Sequence, residues 1–253
     1  MKRVLVTGAN GQLGLAIRAV ELDYPELSFT FTGKSVLDVT SPGQIEAFFN
    51  TNTIDVCINA AAYTHVDKAE DEPEAAYLLN ETAPRLLAEA CKAHNVFLIH
   101  ISTDYVFDGT KGAPYTTADK PNPINVYGAS KLAGEKAIAN VGGDHCIVRT
   151  SWLYSEFGNN FQTKILAKAK IAPYLEVVGD LYGTPTYAPN LVVCLLNKTN
   201  DLTMPQKTVH FSDGKTMSWY DLAKKILKLN TKKIKVSANT LSYMAKRPIN
   251  SSI

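Results

Sequence analysis

The sequence lacks the features that would place the protein in a membrane, on a nucleic acid or around a metal ion. Its 253 residues contain no run of 18 apolar residues, so we expect no membrane-spanning helix. The net charge is only +2 and the basic residues form no stripe, which argues against a nucleic-acid partner. The five histidines show neither HExxH nor paired-ligand spacing, and we therefore expect no catalytic metal.

Cysteine is also scarce. The four cysteines are far apart and lie mostly in apolar runs: Cys57, Cys91, Cys146 and Cys194. This pattern is typical of reduced core residues rather than of a disulfide framework. The apolar stretch after Met1 is too short for a signal peptide. We therefore expect a cytoplasmic protein.

What the chain does contain is an alternation of strand and helix patterns. Short apolar runs predict strands at 4–7, 28–32, 56–59, 96–102 and 146–150, and helical patterns predict helices at 13–22, 42–50, 74–94 and 127–140. This alternation predicts an α/β fold, a Rossmann-type doubly wound parallel sheet with helices on both faces. We expect a dinucleotide-binding domain over 1–150 and a small, mainly substrate-binding domain over 151–253. Part of 175–212 is expected to return to the first domain.

Gly8, Gly11 and Gly14 follow the first predicted strand and lead into the first predicted helix. Glycines are needed where a pyrophosphate must approach the backbone, and a helix start offers unpaired N–H groups to the phosphates. Ligands of such sheets collect beyond the carboxyl ends of the strands. We therefore expect ligands near 8–14 and near the later strand ends, at 33–39, 60–63 and 102–107.

The end of the second predicted strand indicates which dinucleotide is bound. No acidic residue stands at its tip to bind a ribose 2′-hydroxyl, whereas Lys34 and Ser35 could both donate to a 2′-phosphate. Asp38 and Val39, slightly later, could bracket the adenine, with Asp38 accepting from its amino group. The pattern favours NADPH, and NADH stays possible.

Tyr127 and Lys131 stand four residues apart at the start of a predicted helix, so both side chains lie on one helical face. A lysine held there can lower the pKa of the phenol, and enzymes use such a tyrosine as a proton donor or acceptor. The same spacing also occurs on solvated helix faces. It carries weight here because it comes with the glycine turn.

Taken together, these motifs resemble the extended short-chain dehydrogenase/reductases, and most closely their reductases of 4-keto nucleotide sugars. Similar segments cover almost the whole chain: 6–14, 59–64, 66–70, 101–109, 125–135, 149–152, 158–161 and 185–188. The glycine turn and the Tyr-Lys pair mark only the superfamily. The block 102–109 followed by 149–152 is far more specific.

The resemblance implies reduction of the C4 ketone of dTDP-4-dehydro-L-rhamnose, with a nucleotide sugar as the small-molecule partner. It implies that Tyr127 donates the proton, that Lys131 holds the nicotinamide ribose and keeps Tyr127 acidic, and that Thr103 hydrogen-bonds the sugar oxygen. The predicted cofactor residues are Gly8, Asn10, Gly11, Gln12, Leu13, Gly14, Lys34, Asp38, Val39, Ala61, Ala62, Tyr63, Asn80, Tyr127 and Lys131. The predicted substrate residues are Thr103, Asp104, Tyr105, Trp152 and Asn160.

Three of these residues also have other readings or roles. Asn80 is expected to support Lys131 through water, Asn160 could equally be a helix cap, and Trp152 has a core position as its less favoured alternative.

Two departures from the family pattern limit what is carried over. Leu15 and Ala16 stand where some members have a magnesium-binding glutamate, so we predict no metal and a monomer or weak homodimer. The sequence ends at Ile253, where the family continues into a helical tail.

Other functions remain open at this point. The chain could reduce another 4-keto nucleotide sugar, or serve as a non-catalytic NADP-binding regulatory subunit of the same fold. An epimerase or dehydratase is less favoured, because Tyr105 follows Asp104 where dehydratases carry an Asp-Glu pair.

Overall fold

The computed structural model describes residues 1–200, 208–229, 235–239 and 243–253. Their strands are β1 (Lys2–Thr7), β2 (Leu27–Thr32), β3 (Val56–Asn59), β4 (Phe97–Thr103), β5 (His145–Thr150), β6 (Leu153–Tyr154), β7 (Tyr174–Val178), β8 (Tyr182–Gly183), β9 (Thr186–Tyr187), β10 (Thr208–Phe211), β11 (Met217–Ser218) and β12 (Lys235–Asn239). Their α-helices are α1 (Gln12–Arg18), α2 (Pro42–Thr51), α3 (Lys68–Asp71), α4 (Pro73–Tyr77), α5 (Ala83–Ala93), α6 (Val126–Val141), α7 (Phe161–Ile171), α8 (Ala188–Asn200) and α9 (Trp219–Leu229).

A parallel sheet forms the centre of the molecule, with the described strands in the order β2-β1-β3-β4-β5-β10. The strand order reverses between β1 and β3, the kind of position where doubly wound sheets bind ligands. The register aligns Thr7 with Asn59 and Asn59 with His100, so three polar side chains form a row across β1, β3 and β4.

The sheet is buried on both faces because its strands are apolar on both sides. Val4 and Val6 of β1 pack in one cluster with α1 and α8, whereas Leu5 packs in another with α2, α5 and α6. All residues of β3 and β5 are buried. Such continuous burial is characteristic of a parallel sheet covered by helices on both sides. The predicted α/β doubly wound fold is therefore confirmed.

Two of the predicted helices differ in detail. The helix expected over 13–22 ends at Arg18, and a single 3₁₀ turn, Glu21–Asp23, follows. The helix expected over 74–94 is interrupted by a π-helical turn, Leu78–Thr82. There the backbone of Asn80 approaches α6 so closely that a Cβ at Gly134 would lie 2.0 Å from its carbonyl oxygen.

The chain after residue 150 contributes both to the central sheet and to a separate apolar cluster. Helix α8 covers one face of the sheet beside α1, and β10 extends the sheet next to β5. Helices α7 and α9 and strand β7 form a separate apolar cluster that includes Trp152. Helix α8 and strand β10, which fall within 175–212, contact the sheet in this way. The return of this segment to the first domain and the domain boundaries stay predictions. Residues 201–207, 230–234 and 240–242 of the expected second domain lie outside the described residues.

Within the described ranges, no helix combines the length and the apolar character needed to cross a membrane.

Candidate active site

The glycine turn after β1 brings the ends of two strands into close contact. Gly8 has a φ of +66°, which favours glycine, and a Cβ there would lie 2.6 Å from the backbone nitrogen of Ala61. At Gly14 a Cβ would lie 2.5 Å from the Cα of Ala9. The sequence needs glycine at both positions because backbone occupies the space of the side chain.

A cleft of about 390 Å³ opens beside this turn, at the carboxyl ends of β1, β2 and β3. Eight predicted cofactor residues line it: Gly8, Asn10, Gly11, Lys34, Asp38, Val39, Ala61 and Ala62. Five further residues line the cleft that were not named individually as cofactor residues: Gly33, Leu37, Thr40, Ala60 and Leu79. Gly33, Leu37 and Ala60 lie in the strand-end segments 33–39 and 60–63 that the sequence predicts, whereas Thr40 and Leu79 lie outside them. The volume and the Gly8 cradle fit the pyrophosphate and adenosine part of a dinucleotide.

The remaining motif residues lie behind the cleft. Leu13 is buried in the core beneath the sheet. With its carboxamide oxygen facing Ser155, Gln12 accepts hydrogen bonds from the Ser155 backbone N–H and hydroxyl, each at 3.1 Å. Gln12 thus ties the glycine turn to the segment after β6.

Asn80 has different neighbours from those expected. Its amide binds the backbone N–H and C=O of Tyr63 at 2.9 and 3.0 Å and donates to the Ser130 hydroxyl at 3.0 Å. Asn80 therefore fixes the loop after β3 against α6. Because Ser130 precedes Lys131 in α6, Asn80 would support Lys131 by fixing the position of that helix.

The β2 end of the cleft is open to solvent. The Lys34 side chain is 86% exposed, and its Nζ lies 3.8 Å from a carboxylate oxygen of Asp38. Asp38 also accepts from the Thr40 hydroxyl at 2.6 Å and from the Thr40 N–H at 3.0 Å. These bonds, more than Lys34, lower the pKa of Asp38.

The other end of the site contains the predicted catalytic groups. Thr103 is the last residue of β4, and Tyr127 lies in the first turn of α6, where the side chain of Asn125 caps the helix by accepting from the Gly128 N–H at 2.7 Å. The Tyr105 ring meets the Tyr127 ring edge to face at 5.8 Å.

The pKa of Tyr127 moves in the direction opposite to the one predicted. Burial raises it to about 12, Asp104 adds to the rise, and a hydrogen bond with Thr103 acts against it. The expectation that Lys131 keeps Tyr127 acidic was wrong for this structure, because desolvation of the phenolate outweighs the other influences. The phenol is protonated at neutral pH, the state that a proton donor requires.

Lys131 is buried within the protein, with only 2% of its surface exposed. Its Nζ donates to the backbone oxygen of Ile101 at 2.6 Å and lies 3.3 Å from Nε2 of His100. Burial lowers the pKa of Lys131 to about 8, and the charge of Glu135 opposes this shift.

Of the two residues after Thr103, Asp104 is buried and Tyr105 is partly buried. Thr103 donates to Asp104 at 3.0 Å, and Asp104 accepts from the hydroxyl of Ser251. Burial raises the pKa of Asp104 to about 7. Burial also raises the pKa of Tyr105 above its usual value. The segment around Ser251 therefore lies directly against the catalytic end of the site.

Trp152 follows β5 at the edge of the site and belongs to the apolar cluster that α7, α9 and β7 form. Its φ of +46° is in the left-handed region, and its indole stacks on that of Trp219 with centroids 3.7 Å apart. A Cβ at Gly183 would lie 2.6 Å from the indole. Its Nε1 is buried and has no acceptor in the described part of the chain. The ring is packed like a core residue, and substrate contact stays a prediction.

Asn160 caps helix α7, the alternative that its sequence position allowed. Its oxygen accepts from the N–H groups of Gln162 and Thr163, and its amide group donates to the carbonyls of Ser155 and Phe157. Both amide hydrogens are thus used within the cap. Contact between Asn160 and a substrate has no support in these bonds.

A glycine-lined cleft at the carboxyl ends of β1, β2 and β3, with Thr103 at the end of β4 and with Tyr127 and Lys131 one turn apart on α6, is characteristic of the extended short-chain dehydrogenase/reductase class. The comparisons with known proteins agree with this class. The family model described as "RmlD substrate binding domain" matches residues 1–253. A dTDP-4-dehydrorhamnose reductase of Sinorhizobium fredii is 37% identical over 98% of this chain and 88% of its own length. That of Aggregatibacter actinomycetemcomitans is 38% identical over 99% of this chain and 90% of its own.

Solved structures agree with these relatives. The crystal structure of dTDP-4-dehydrorhamnose reductase from Bacillus anthracis in complex with NADP superimposes with a TM-score of 0.95 at 37% identity, covering 100% of this chain and 90% of that one. The UDP-glucose 4-epimerase of Brucella ovis, at 17% identity and a TM-score of 0.82 over 99% of this chain and 89% of its own, shares the fold. The chain belongs to the dTDP-4-dehydrorhamnose reductase family.

Proposed function

We propose that the protein reduces the C4 ketone of dTDP-4-dehydro-L-rhamnose to the alcohol of dTDP-L-rhamnose. The observation that carries the proposal is the hydrogen bond between Tyr127 and Thr103, with Lys131 one turn further along α6 against the backbone of β4, beside a sheet whose carboxyl edge holds a glycine-lined cleft. The names of the relatives supply the sugar and the nucleotide.

The residues have distinct tasks in this proposal. NADPH, when bound, supplies the hydride for C4, and Gly8, Asn10 and Gly11 border the space for its phosphates. Lys34 would bind the 2′-phosphate of NADPH. Tyr127, protonated at neutral pH, gives its proton to the ketone oxygen as that oxygen gains negative charge. Thr103 hydrogen-bonds the same oxygen, and the Lys131 amine holds the nicotinamide ribose.

Substrate binding is assigned to the residues around this corner. Asp104 and Tyr105 continue from Thr103, and Trp152 follows β5 at the same edge of the sheet. The nucleotide sugar is the proposed small-molecule partner. A monomer or weak homodimer in the cytoplasm, with neither a nucleic-acid partner nor a metal, remains our prediction.

The test is consumption of NADPH by the purified protein with dTDP-4-dehydro-L-rhamnose, followed by absorbance of the reduced nicotinamide. A second 4-keto nucleotide sugar with a different base serves as the matched control. We expect turnover with the first substrate and much slower turnover with the second. Faster turnover of the second would move the proposal to another sugar, and NADPH binding without turnover of either would indicate the regulatory subunit.

A further inference from the structure

A row of buried polar side chains runs through the sheet to Lys131. The Thr7 hydroxyl donates to Oδ1 of Asn59 at 2.7 Å, Nδ2 of Asn59 lies 3.0 Å from Nδ1 of His100, and Nε2 of His100 lies 3.3 Å from Nζ of Lys131. All four residues are at most 2% exposed. Buried polar groups at such distances are hydrogen-bonded, so the positions of their protons can be worked out.

The backbone decides the orientation of Asn59. The N–H of Ala61 lies 3.2 Å from Oδ1 of Asn59, and a backbone N–H can only donate. The amide oxygen therefore faces Ala61 and Thr7, and the NH₂ group faces His100. Since an NH₂ group only donates, Nδ1 of His100 must carry the lone pair.

The tautomer of His100 follows from this assignment. A neutral imidazole has one N–H, and with Nδ1 accepting from Asn59 that proton lies on Nε2. The pKa of His100 is held well below its usual value, first by burial and then by the charge of Lys131, so the ring stays neutral. His100 thus points an N–H donor at the amine of Lys131.

An N–H donor facing Lys131 favours the free amine over the ammonium. The ammonium has three donors and no acceptor, whereas the free amine has a lone pair that accepts from His100. The bond to the backbone oxygen of Ile101 is compatible with both forms.

The charged and titratable groups around Lys131 act in both directions. Glu135 on α6 favours the ammonium, although its carboxylate is already paired with Arg149 of β5 and accepts from Ser102 of β4. Tyr127 lies one turn earlier on α6, beside Asp104 and Tyr105 after β4, and none of these three groups is among those that shift the pKa of Lys131. Among these titratable side chains, His100 is the one whose contact with the amine of Lys131 is direct, at 3.3 Å.

We propose that His100 is a positioning residue that sets the protonation equilibrium of Lys131, and with it the upper pH limit of the reduction. The backbone N–H of Ala61 orients Asn59, Asn59 imposes the Nε2–H tautomer on His100, and His100 disfavours the ammonium of Lys131. This inference rests on the proposed reductase function for its kinetic consequence. Its structural part, the tautomer, does not depend on turnover.

The tautomer can be measured without substrate. The full chain, labelled with ¹⁵N in its histidine rings, is examined by NMR between about pH 5 and about pH 8, the range in which an ordinary histidine titrates. The His100 signals are those missing from His100→Leu. We expect a neutral ring with its proton on Nε2 throughout. A proton on Nδ1, or a ring that becomes cationic in this range, would overturn the proposal even if the protein proves to be an active reductase.

The kinetic test uses an isosteric change next to His100. In Asn59→Asp the carboxylate accepts from Thr7, Ala61 and Nδ1–H of His100, so Nε2 becomes an acceptor for the ammonium of Lys131. The wild-type kcat/KM should fall above about pH 8, the pKa of Lys131. In Asn59→Asp we expect this limb to move upward by about one pH unit, the usual spread of lysine pKa values in proteins.

The double variant separates the tautomer from the added charge. In the His100→Leu background, Asn59→Asp has no ring to reorient, and the shift that it causes should fall to less than about one third. Asn140→Asp, near the far end of α6, is the matched charge control and should leave the profile unchanged. Equal shifts with and without His100 would show that the new charge acts directly, and the absence of any shift in Asn59→Asp would equally overturn the proposal.

Discussion

The two ends of the candidate site hold their polar side chains in opposite ways. At the catalytic end, Lys131 is 2% exposed and contacts the backbone of Ile101 and the ring of His100. At the open end, after β2, the Lys34 side chain is 86% exposed and its Nζ lies 3.8 Å from a carboxylate oxygen of Asp38. Two lysines of one site thus differ in almost every physical property.

The difference separates two tasks. A buried amine has a fixed position and a pKa that its surroundings lower, which suits a group that must act on reacting atoms. An exposed amine keeps an ordinary hydration shell and contributes only a long-range or newly formed contact to a ligand. Substitutions at the buried end should therefore change stability and rate, whereas those at the open end should change cofactor preference alone.

The largest expected effect is at Trp152, on the buried side. Trp152→Ala removes a ring stacked on Trp219 and leaves a cavity beside Gly183, so the free energy of unfolding should fall by about 3–5 kcal/mol. Denaturant unfolding followed by far-UV circular dichroism measures this loss. Trp152→Phe keeps an aromatic ring and removes an indole N–H for which the described residues offer no acceptor, and should lose much less.

The same variants test the substrate contact. If Trp152→Ala unfolds close to the wild-type midpoint and its KM rises, the ring contributes to substrate binding rather than to the core. If stability falls while the kinetics of the folded fraction are unchanged, Trp152 leaves the set of substrate residues.

The second effect is on rate. Tyr127→Phe removes the phenolic hydroxyl but keeps the ring against Tyr105, so NADPH binding should persist while turnover falls about 100-fold or more. This loss corresponds to about 2.7 kcal/mol of transition-state stabilisation. Steady-state kinetics with the keto-sugar, together with an NADPH titration, measure both quantities.

Tyr174→Phe is the matched control, because Tyr174 lies on β7 with 57% of its surface exposed. It should behave as the wild type in both measurements. Turnover of Tyr127→Phe close to that of the control would remove Tyr127 from the proton-donating role.

Sequence reasoning reached the parts of the site that are encoded within one local segment. The glycine turn at Gly8 and the pair Tyr127 and Lys131 each follow from a short spacing read against one element. The cap role of Asn160 was foreseen as an alternative for the same reason, since helix capping depends on a few neighbouring residues. The doubly wound sheet followed from alternation alone.

The parts that were missed depend on contacts between distant segments. Thr7, Asn59 and His100 form a row only because the strand register aligns them, and a single histidine in the apolar run of β4 reads as a core residue. The pKa of Tyr127 depends on burial, which a motif does not contain. Asn80 reaches Tyr63 through a π-helical turn that no propensity indicates.

The smallest effect is expected at the open end, where Lys34→Asp replaces a donor for a 2′-phosphate with a repelling charge. NADPH binding should weaken by about 1–3 kcal/mol, the scale of a charge-assisted hydrogen bond, with little change for NADH. Stability should hardly change, since an exposed pair such as Lys34 and Asp38 contributes little. Titrations of both cofactors against both proteins at one fixed ionic strength measure the difference.

Lys92→Asp is the matched control for this last prediction, because it makes the same charge change on an exposed lysine near the end of α5, at the opposite edge of the sheet. It should leave both affinities unchanged. If Lys34→Asp weakens NADPH and NADH equally, Lys34 does not read the 2′-phosphate. The open end would then contribute general attraction to both dinucleotides, and the preference for NADPH would have to come from other residues that line the cleft, such as Thr40.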